Sequence, residues 1–493
     1  MRQNFPIYSK KSVWIPNVII VFVAIFYLVT LQGGHNWDGD FSLYIMHANN
    51  IVHGKPYADT NYLYNPDNPN IGPKAFPPIF PLILAPFIAI WGINLKVLKL
   101  VEIFSFVALL FYLNHKILPK QLGFIFRVIF LISLGFYPLI FFQVDSITSD
   151  LPFLLACYIA LDRIGDQLNS PQDKKNHLLK LFLTGVIVYL AFGIRAIGVV
   201  ILPVVLCLDL IRNKKISLAS LVITAVAFGL MITQSLLIPG IGDYIRLIPK
   251  TIPAIIVLVF NSCRYYFIQF ASLIKFNNLI VQDIVFVFLI ELFTIGLLTR
   301  IKKRITSFDL FFVTYLAFLM VYPNYGGLRF LMPLLPLYFL YILEGFQAIL
   351  SASIKKPWLL KTIPSIFLIG VLVLYASYYA SIFPLPKSDI EKNETQGLFH
   401  YVQTETKPDD VIAFYRPRIL ALFTNRKSAA IAVPAPNGDT FGRMKELGID
   451  TVIVRLNYTD ENQTQLFQLI KDNPLKFKLL YENPDFRVFQ VTY

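Results

Sequence analysis

The stretch Trp14-Ile15-Pro16-Asn17-Val18-Ile19-Ile20-Val21-Phe22-Val23-Ala24-Ile25-Phe26-Tyr27-Leu28-Val29-Thr30-Leu31 decides the fold. It carries no charged side chain and approaches the roughly 20 apolar residues a helix needs to cross the hydrocarbon core of a bilayer (range about 17–25). No small-residue cleavage site follows it, so it reads as an uncleaved first span and not as a signal peptide. The pattern recurs at 98–115, 122–142, 150–164, 181–195, 197–211, 217–237, 280–299, 306–322, 331–349 and 359–380. Two further apolar runs are irregular. One, 77–93, carries Pro77, Pro78, Pro81 and Pro86; the other, about 253–275, is interrupted by Asn261, Arg264 and Gln269.

Composition agrees with a membrane chain. Of 493 residues, 56% are hydrophobic and 15% charged, where a soluble protein carries about 25% charged residues. The net charge of +14 does not point to nucleic acid, because no basic helix or aromatic-rich binding motif accompanies it. Lys and Arg instead gather in short loops, as at Lys116/Lys120, Arg212/Lys214/Lys215, Arg300/Lys302/Lys303/Arg304 and Lys355/Lys356/Lys361. The positive-inside rule makes these loops cytoplasmic. Loops 33–76, 143–150, 238–279 and 323–330 then face outward. This parity requires that 77–93 not cross completely, which is allowed where protein or water satisfies its backbone. Full crossings at both 77–93 and 253–275 are the alternative, and would move 143–150 to the cytoplasm. Cys157, Cys207 and Cys263 form no CxxC pair, which argues against a redox motif or zinc ribbon.

After Ile382 no further span is possible. Val411–Phe414 is a short apolar run, with helices expected near Pro417–Phe423 and from Thr459 to Lys471. Strands are expected at Thr451–Val454, Phe477–Tyr481 and Phe486–Val491. Such alternation indicates an α/β domain. The expected fold is thus an all-α polytopic membrane protein of about 11–13 transmembrane helices, residues 1–383, with a small extracytoplasmic α/β domain, 384–493. The expected location is the plasma (inner) membrane, crossed many times, with the N-terminus cytoplasmic.

The outer loop 33–76 concentrates polar chemistry. Phe41, Ile45, Ala48 and Val52 recur at helical spacing and Gly54 ends the pattern, which places Asp40 at the start of a short amphipathic helix on the membrane surface. Asp40 is either its N-cap or, with Asp38 beside the aromatic anchor Trp37, a general base or cation ligand. Asp150 stands in the same position before Leu151-Pro152, and Asp145 is a weaker candidate for its role. Tyr44 is expected to pack beside Asp40. His35, His47 and His53 match no standard metal spacing, so no metal or other cofactor is expected.

Asp40-x-x-x-Tyr44-x-x-x-Ala48, Gly54-x-x-Tyr57 and Lys74-x-x-Pro77-Pro78 together resemble the first outer loop of the GT-C superfamily of membrane glycosyltransferases. That superfamily includes protein O-mannosyltransferases and the aminoarabinose transferases of lipid A. Ser149-Asp150-Leu151-Pro152-Phe153, Arg195-x-x-Gly198 and Gly327-Leu328-Arg329-Phe330 through Pro336 resemble its later segments, so the likeness spans about residues 14–350. Phe41 stands where aminoarabinose transferases carry Glu, so their particular substrates do not carry over. The resemblance implies an inverting transfer of a sugar from a polyprenyl-phosphate carrier to an envelope lipid, glycan or protein. It implies Asp40 as base, Asp150 and Asp38 as further carboxylates, and Lys74, Arg195 and Arg329 as phosphate ligands, with Arg264 a less certain one. A polytopic transporter or lipid flippase is the competing class, and a non-catalytic partner in envelope assembly is a third.

Overall fold

The computed structural model describes residues 11–37, 39–68, 71–169, 177–238, 249–274, 278–456, 458 and 460–493; Asp38 lies outside them. The chain opens with α1 (Lys11–Thr30), then α2 (Asp40–Val52) and β1 (Tyr62–Leu63) of the first long loop. It continues through α3 (Ile79–Trp91), α4 (Leu95–Tyr112), α5 (Phe124–Gly135), α6 (Pro138–Val144), α7 (Asp150–Gln167), α8 (His177–Ile194), α9 (Ile201–Asn213) and α10 (Leu218–Leu237). After α11 (Ile252–Ala271) come α12 (Leu279–Lys303), α13 (Ser307–Val321), α14 (Gly327–Leu331), α15 (Leu335–Ser353) and α16 (Leu359–Ile382). Among the described residues, eight helical segments are long and apolar enough to span a bilayer, or nine with α5 and α6 as one span bent by 51°. Pro138, which has no N–H to donate, opens α6 at that bend. The protein is a multi-pass membrane protein.

Polar contacts mark the two faces of the bundle. On one, Lys99 near the start of α4 donates to the carbonyls of Gln32 (3.2 Å) and Gly34 (2.6 Å) and to Asp145 (2.9 Å). On the other, Asn114 beyond the end of α4 donates to Asn17 of α1 (3.0 Å), and Arg300 of α12 pairs with Asp309 of α13 (2.7 Å). The two irregular runs both form helices, α3 and α11. Phe80 of α3 packs on Tyr44 at the first face, and the helix is followed after three residues by α4, which starts at that face. Thirteen residues at about 1.5 Å each also fall short of the bilayer core. Among the described residues, α3 is thus too short for a full crossing and lies against the first face.

Helix α10 ends at the same face, where Tyr189 bonds Gln234 (3.1 Å). Helix α12 runs the other way, reaching Arg300 at the opposite face after 22 residues. Helix α11 thus joins two ends on one face, although its 20 residues have the length of a span. Its Tyr265 packs on Tyr325, next to α14.

Helix α2 departs from expectation. The sequence suggests a surface helix with one wet side, yet Phe41 through Ala48 are all buried. Its polar residues are satisfied internally: Ser42 donates to the Gly39 carbonyl (2.7 Å) and Asn50 to that of Asp59 (2.7 Å). Helix α3 covers one side and the C-terminal domain covers the other.

That domain comprises α17 (Asn393–Glu405), β2 (Val411–Ala413), α18 (Pro417–Thr424), β3 (Lys427–Ala429), α19 (Thr440–Glu446), β4 (Ile449–Arg455), α20 (Glu461–Asp472), β5 (Phe477–Glu482) and β6 (Phe486–Val491). The sheet order is β1-β3-β2-β4-β6-β5, parallel from β1 to β4 and antiparallel beyond. Its first strand comes from the long loop 33–76, with Tyr62 in register with Ser428. A division at 383/384 therefore does not separate two self-contained bodies.

Candidate active site

Asp40 and Asp150 each open a helix, and neither serves as its cap. Gly39 and Ser149 occupy the N-cap positions, which leaves both carboxylates free to project from the first turn. Arg329 joins them. Its Nη1 donates to Asp40 (2.9 Å), and its Nε and Nη2 lie 2.8 Å from Asp150. Such a fork suits the planar guanidinium, which offers donors on two edges. Arg329 sits on α14 just after Gly326 and Gly327. Gly327 has φ +61°, and a side chain at Gly326 would strike the Phe330 ring.

Arg195 also pairs with Asp150 and lies over the Phe330 ring at 5.9 Å. Its backbone is extended between α8 and a 3-10 turn, and its carbonyl accepts from Gly198 N–H (2.8 Å). A side chain at Gly198 would meet the Phe192 backbone, which gives the Arg195-x-x-Gly198 step a geometric reason. Tyr44 is buried, bonds Ser149 through its hydroxyl (2.9 Å) and stacks on Phe76.

The sequence reading missed Arg418. It reaches in from α18, its Nη1 3.5 Å from Asp40, while Nη2 donates to the Pro73 carbonyl (3.1 Å). The guanidinium is buried between the rings of Tyr62 and Phe76, at 4.9 and 5.1 Å. The amphipathic pattern of α18 and its Pro at N1 mark a helix, but nothing in the sequence ties its Arg to a residue 378 positions earlier.

Exposure separates the two carboxylates. Asp150 keeps only 3% of its side-chain surface, whereas Asp40 keeps 35% and can touch a substrate. Gln143 donates to Asp150 as well (3.2 Å) and also contacts Thr148. Behind them the buried Glu102 accepts from Thr148 N–H (3.3 Å), and its second oxygen has no partner among the described residues. Burial opposes ionisation of Asp40, but Arg329 and Arg418 outweigh it and hold its pKa below the ordinary carboxylate value. Three guanidiniums against two carboxylates leave the cluster net positive.

The remaining candidates fall elsewhere. Lys74 is exposed beside Pro73 and forms no ion pair with the described residues. Arg264 is exposed on α11. Asp145 is bound by Lys99 and by Gln32 N–H (2.9 Å), a structural duty. His35 accepts from Ile147 N–H and donates to the Asn36 carbonyl; His47 accepts from Phe76 N–H and donates to the Tyr57 carbonyl. Burial lowers these imidazoles to about 3 and about 4, so both are neutral hinges of the loop. Among the described residues no group of three or more His, Cys, Asp or Glu is arranged to hold a metal.

No protein-family model matches the chain, and no curated protein matches it in sequence. Solved structures do. ArnT from Cupriavidus metallidurans bound to undecaprenyl phosphate aligns over 96% of this chain and 97% of its own, with 10% identity and a TM-score of 0.59. The archaeal oligosaccharyltransferase AglB from Archaeoglobus fulgidus, in complex with an inhibitory peptide and a dolichol-phosphate, aligns over 91% and 70%, with 10% identity and a TM-score of 0.58. The mycobacterial arabinofuranosyltransferase AftD aligns over 99% of this chain and 42% of its own, with 12% identity and a TM-score of 0.55. The chain has the GT-C fold of polytopic membrane glycosyltransferases.

Proposed function

We propose that the chain is an inverting glycosyltransferase that moves a sugar from a polyprenyl-phosphate carrier to a hydroxyl of an envelope acceptor, on the extracytoplasmic side of the plasma membrane. The bridge from Arg329 to both Asp40 and Asp150 carries this reading. It gathers an accessible, ionised carboxylate and an excess of cations at one face of a fold shared with proteins solved with undecaprenyl phosphate and dolichol-phosphate. The acceptor oxygen attacks the anomeric carbon as the bond to phosphate oxygen breaks, the proton passes to Asp40, and the carrier phosphate leaves with the electron pair. Attack opposite the leaving group inverts the centre.

Asp150, held by Arg195 and Arg329, fixes the guanidiniums rather than meeting substrate. Lys74 and the outer edges of Arg195 and Arg329 take the phosphate, Lys as a point charge and Arg through paired donors. Arg418 holds Asp40 in its ionised form. The apolar faces of α3 and α11, the two irregular runs of the sequence, suit the carrier's tail.

Asp40→Asn tests the reading. Cells lacking the gene are complemented with wild-type or variant chain, and their envelope glycans are compared by mass spectrometry. The wild type restores the missing glycan. Asp40→Asn, present in the membrane at equal level, lowers transfer by about 10²–10⁴-fold. Normal restoration by the variant removes Asp40 as the base.

A further inference from the structure

A cavity of about 290 Å³ lies in the C-terminal domain, apart from the Asp40 cluster. It sits where the sheet topology favours ligands. The chain moves from β2 outward to β3, then returns past β2 to β4. The carboxyl ends of β2 and β4 therefore flank a topological switch point, the usual crevice for ligands in open α/β sheets. Phe414, Tyr415 and Arg416 follow β2 into the cavity, Ala430 to Ala432 follow β3, and Tyr458 and Gln463 follow β4.

The lining has the chemistry of a sugar site. Tyr415 and Tyr458 pack at 4.8 Å. Arg455 fixes the pair: it donates to the Tyr415 hydroxyl (2.8 Å) and lies over both rings and over Trp37. Aromatic faces with adjacent polar donors suit a pyranose ring, and the volume holds one or two such rings. Arg416 supplies charge. It is half-buried on the cavity wall, lies over the Tyr415 ring at 5.6 Å and forms no ion pair with the described residues. The one carboxylate in the lining, Asp460, is exposed and caps α20 through Gln463 N–H (3.2 Å).

The cavity shares two walls with the Asp40 cluster. Arg416 lines it, and two residues on Arg418 touches Asp40. Ile71 lines it, and Gly72 and Pro73 just beyond contact Arg418. Trp37 beneath the platform is three residues before Asp40. We propose that this cavity is the acceptor subsite, and that it takes an acidic sugar, one whose ring carries a carboxylate or a phosphate. The proposal rests on the glycosyltransferase reading only for the word acceptor; the binding chemistry stands without it.

Binding is measured on the purified full chain in nanodiscs by saturation-transfer NMR and calorimetry, with glucuronate, glucose 6-phosphate and glucose as separate probes. At least one acidic sugar binds ten-fold or more tightly than glucose, and which one does so distinguishes carboxylate from phosphate. Arg416→Gln and Tyr458→Ala each weaken that binding ten-fold or more at unchanged melting temperature, Arg416→Lys restores part of it, and Asp40→Asn leaves it as in wild type. Equal affinity for glucose, undiminished binding in both Arg416→Gln and Tyr458→Ala, or loss of binding in Asp40→Asn overturns the subsite. Because Asp40→Asn is scored here for binding and in cells for transfer, failure of the subsite and failure of the catalytic reading give different results.

Discussion

Arg329 donates to Asp40 at 2.9 Å and to Asp150 at 2.8 Å, joining the first turns of two helices far apart in sequence. Removing it leaves the nearly buried Asp150 with one guanidinium and frees Asp40 to move. Arg329→Ala is expected to lower sugar transfer about 100-fold or more, the usual effect of deleting one preorganised donor. Arg329→Lys should recover little, because an ammonium cannot reach two carboxylates along fixed directions. The check is transfer rate at equal membrane abundance; wild-type rate in Arg329→Lys would show that only charge matters.

The two arginines on Asp40 set an expectation for pH. Its pKa in the folded protein lies below the ordinary value, so the carboxylate stays ionised until the solution is more acidic than about pH 4. The acid limb of the rate profile due to Asp40 should fall below that point. Arg418→Ala removes one stabilising guanidinium and should shift the limb upward. An unmoved limb would mean that Arg418 does not act on Asp40.

Gly72 provides a geometric test of the same contact. It has φ +105°, and a methyl there would collide with the Arg418 guanidinium. Gly72→Ala should lower transfer by displacing Arg418, and should do less harm when Arg418 is already Ala. Non-additivity of this kind is the mark of a shared contact, and a double-mutant cycle on rate measures it.

His35 and His47 make stability depend on acid. Both are neutral in the folded chain, with pKa values lowered to about 3 and about 4. A lowered folded value means that the stabilisation is present above the unfolded pKa of about 6.5 and is lost as pH falls toward the folded values. The melting temperature should decline from about pH 6.5 toward pH 4. His35→Gln/His47→Gln should start lower and decline less steeply, as thermal unfolding in nanodiscs will show.

Much of this molecule was legible in its sequence because lipid imposes a simple rule on composition. The apolar runs mark the candidate crossings, and the proline-rich run 77–93 forms a helix of only 13 residues. In the tail, apolar runs and turn residues located β4, β5, β6 and α20. What escaped notice was long-range. Lys427-Ser428-Ala429 is too short and polar to read as a strand until Tyr62–Leu63 lies beside it. The polar residues of α2 suggested a wet face, because internal hydrogen bonding cannot be inferred from residue type. Arg418 carries no signal of its own in the sequence, since the rings and the carboxylate that surround it come from the other end of the chain.

The strand that the long loop lends to the tail has a consequence for biosynthesis. Asn65 donates to the carbonyl of Ala430, 365 residues further along, and Tyr62 waits equally long for Ser428. The segment bearing Asp40 is made 378 residues before the second arginine that meets it, and before the strands that cover it. A nascent chain that has not yet reached Arg418 therefore holds an unfinished carboxylate cluster, and the proposed sugar transfer must wait for the tail to fold over it.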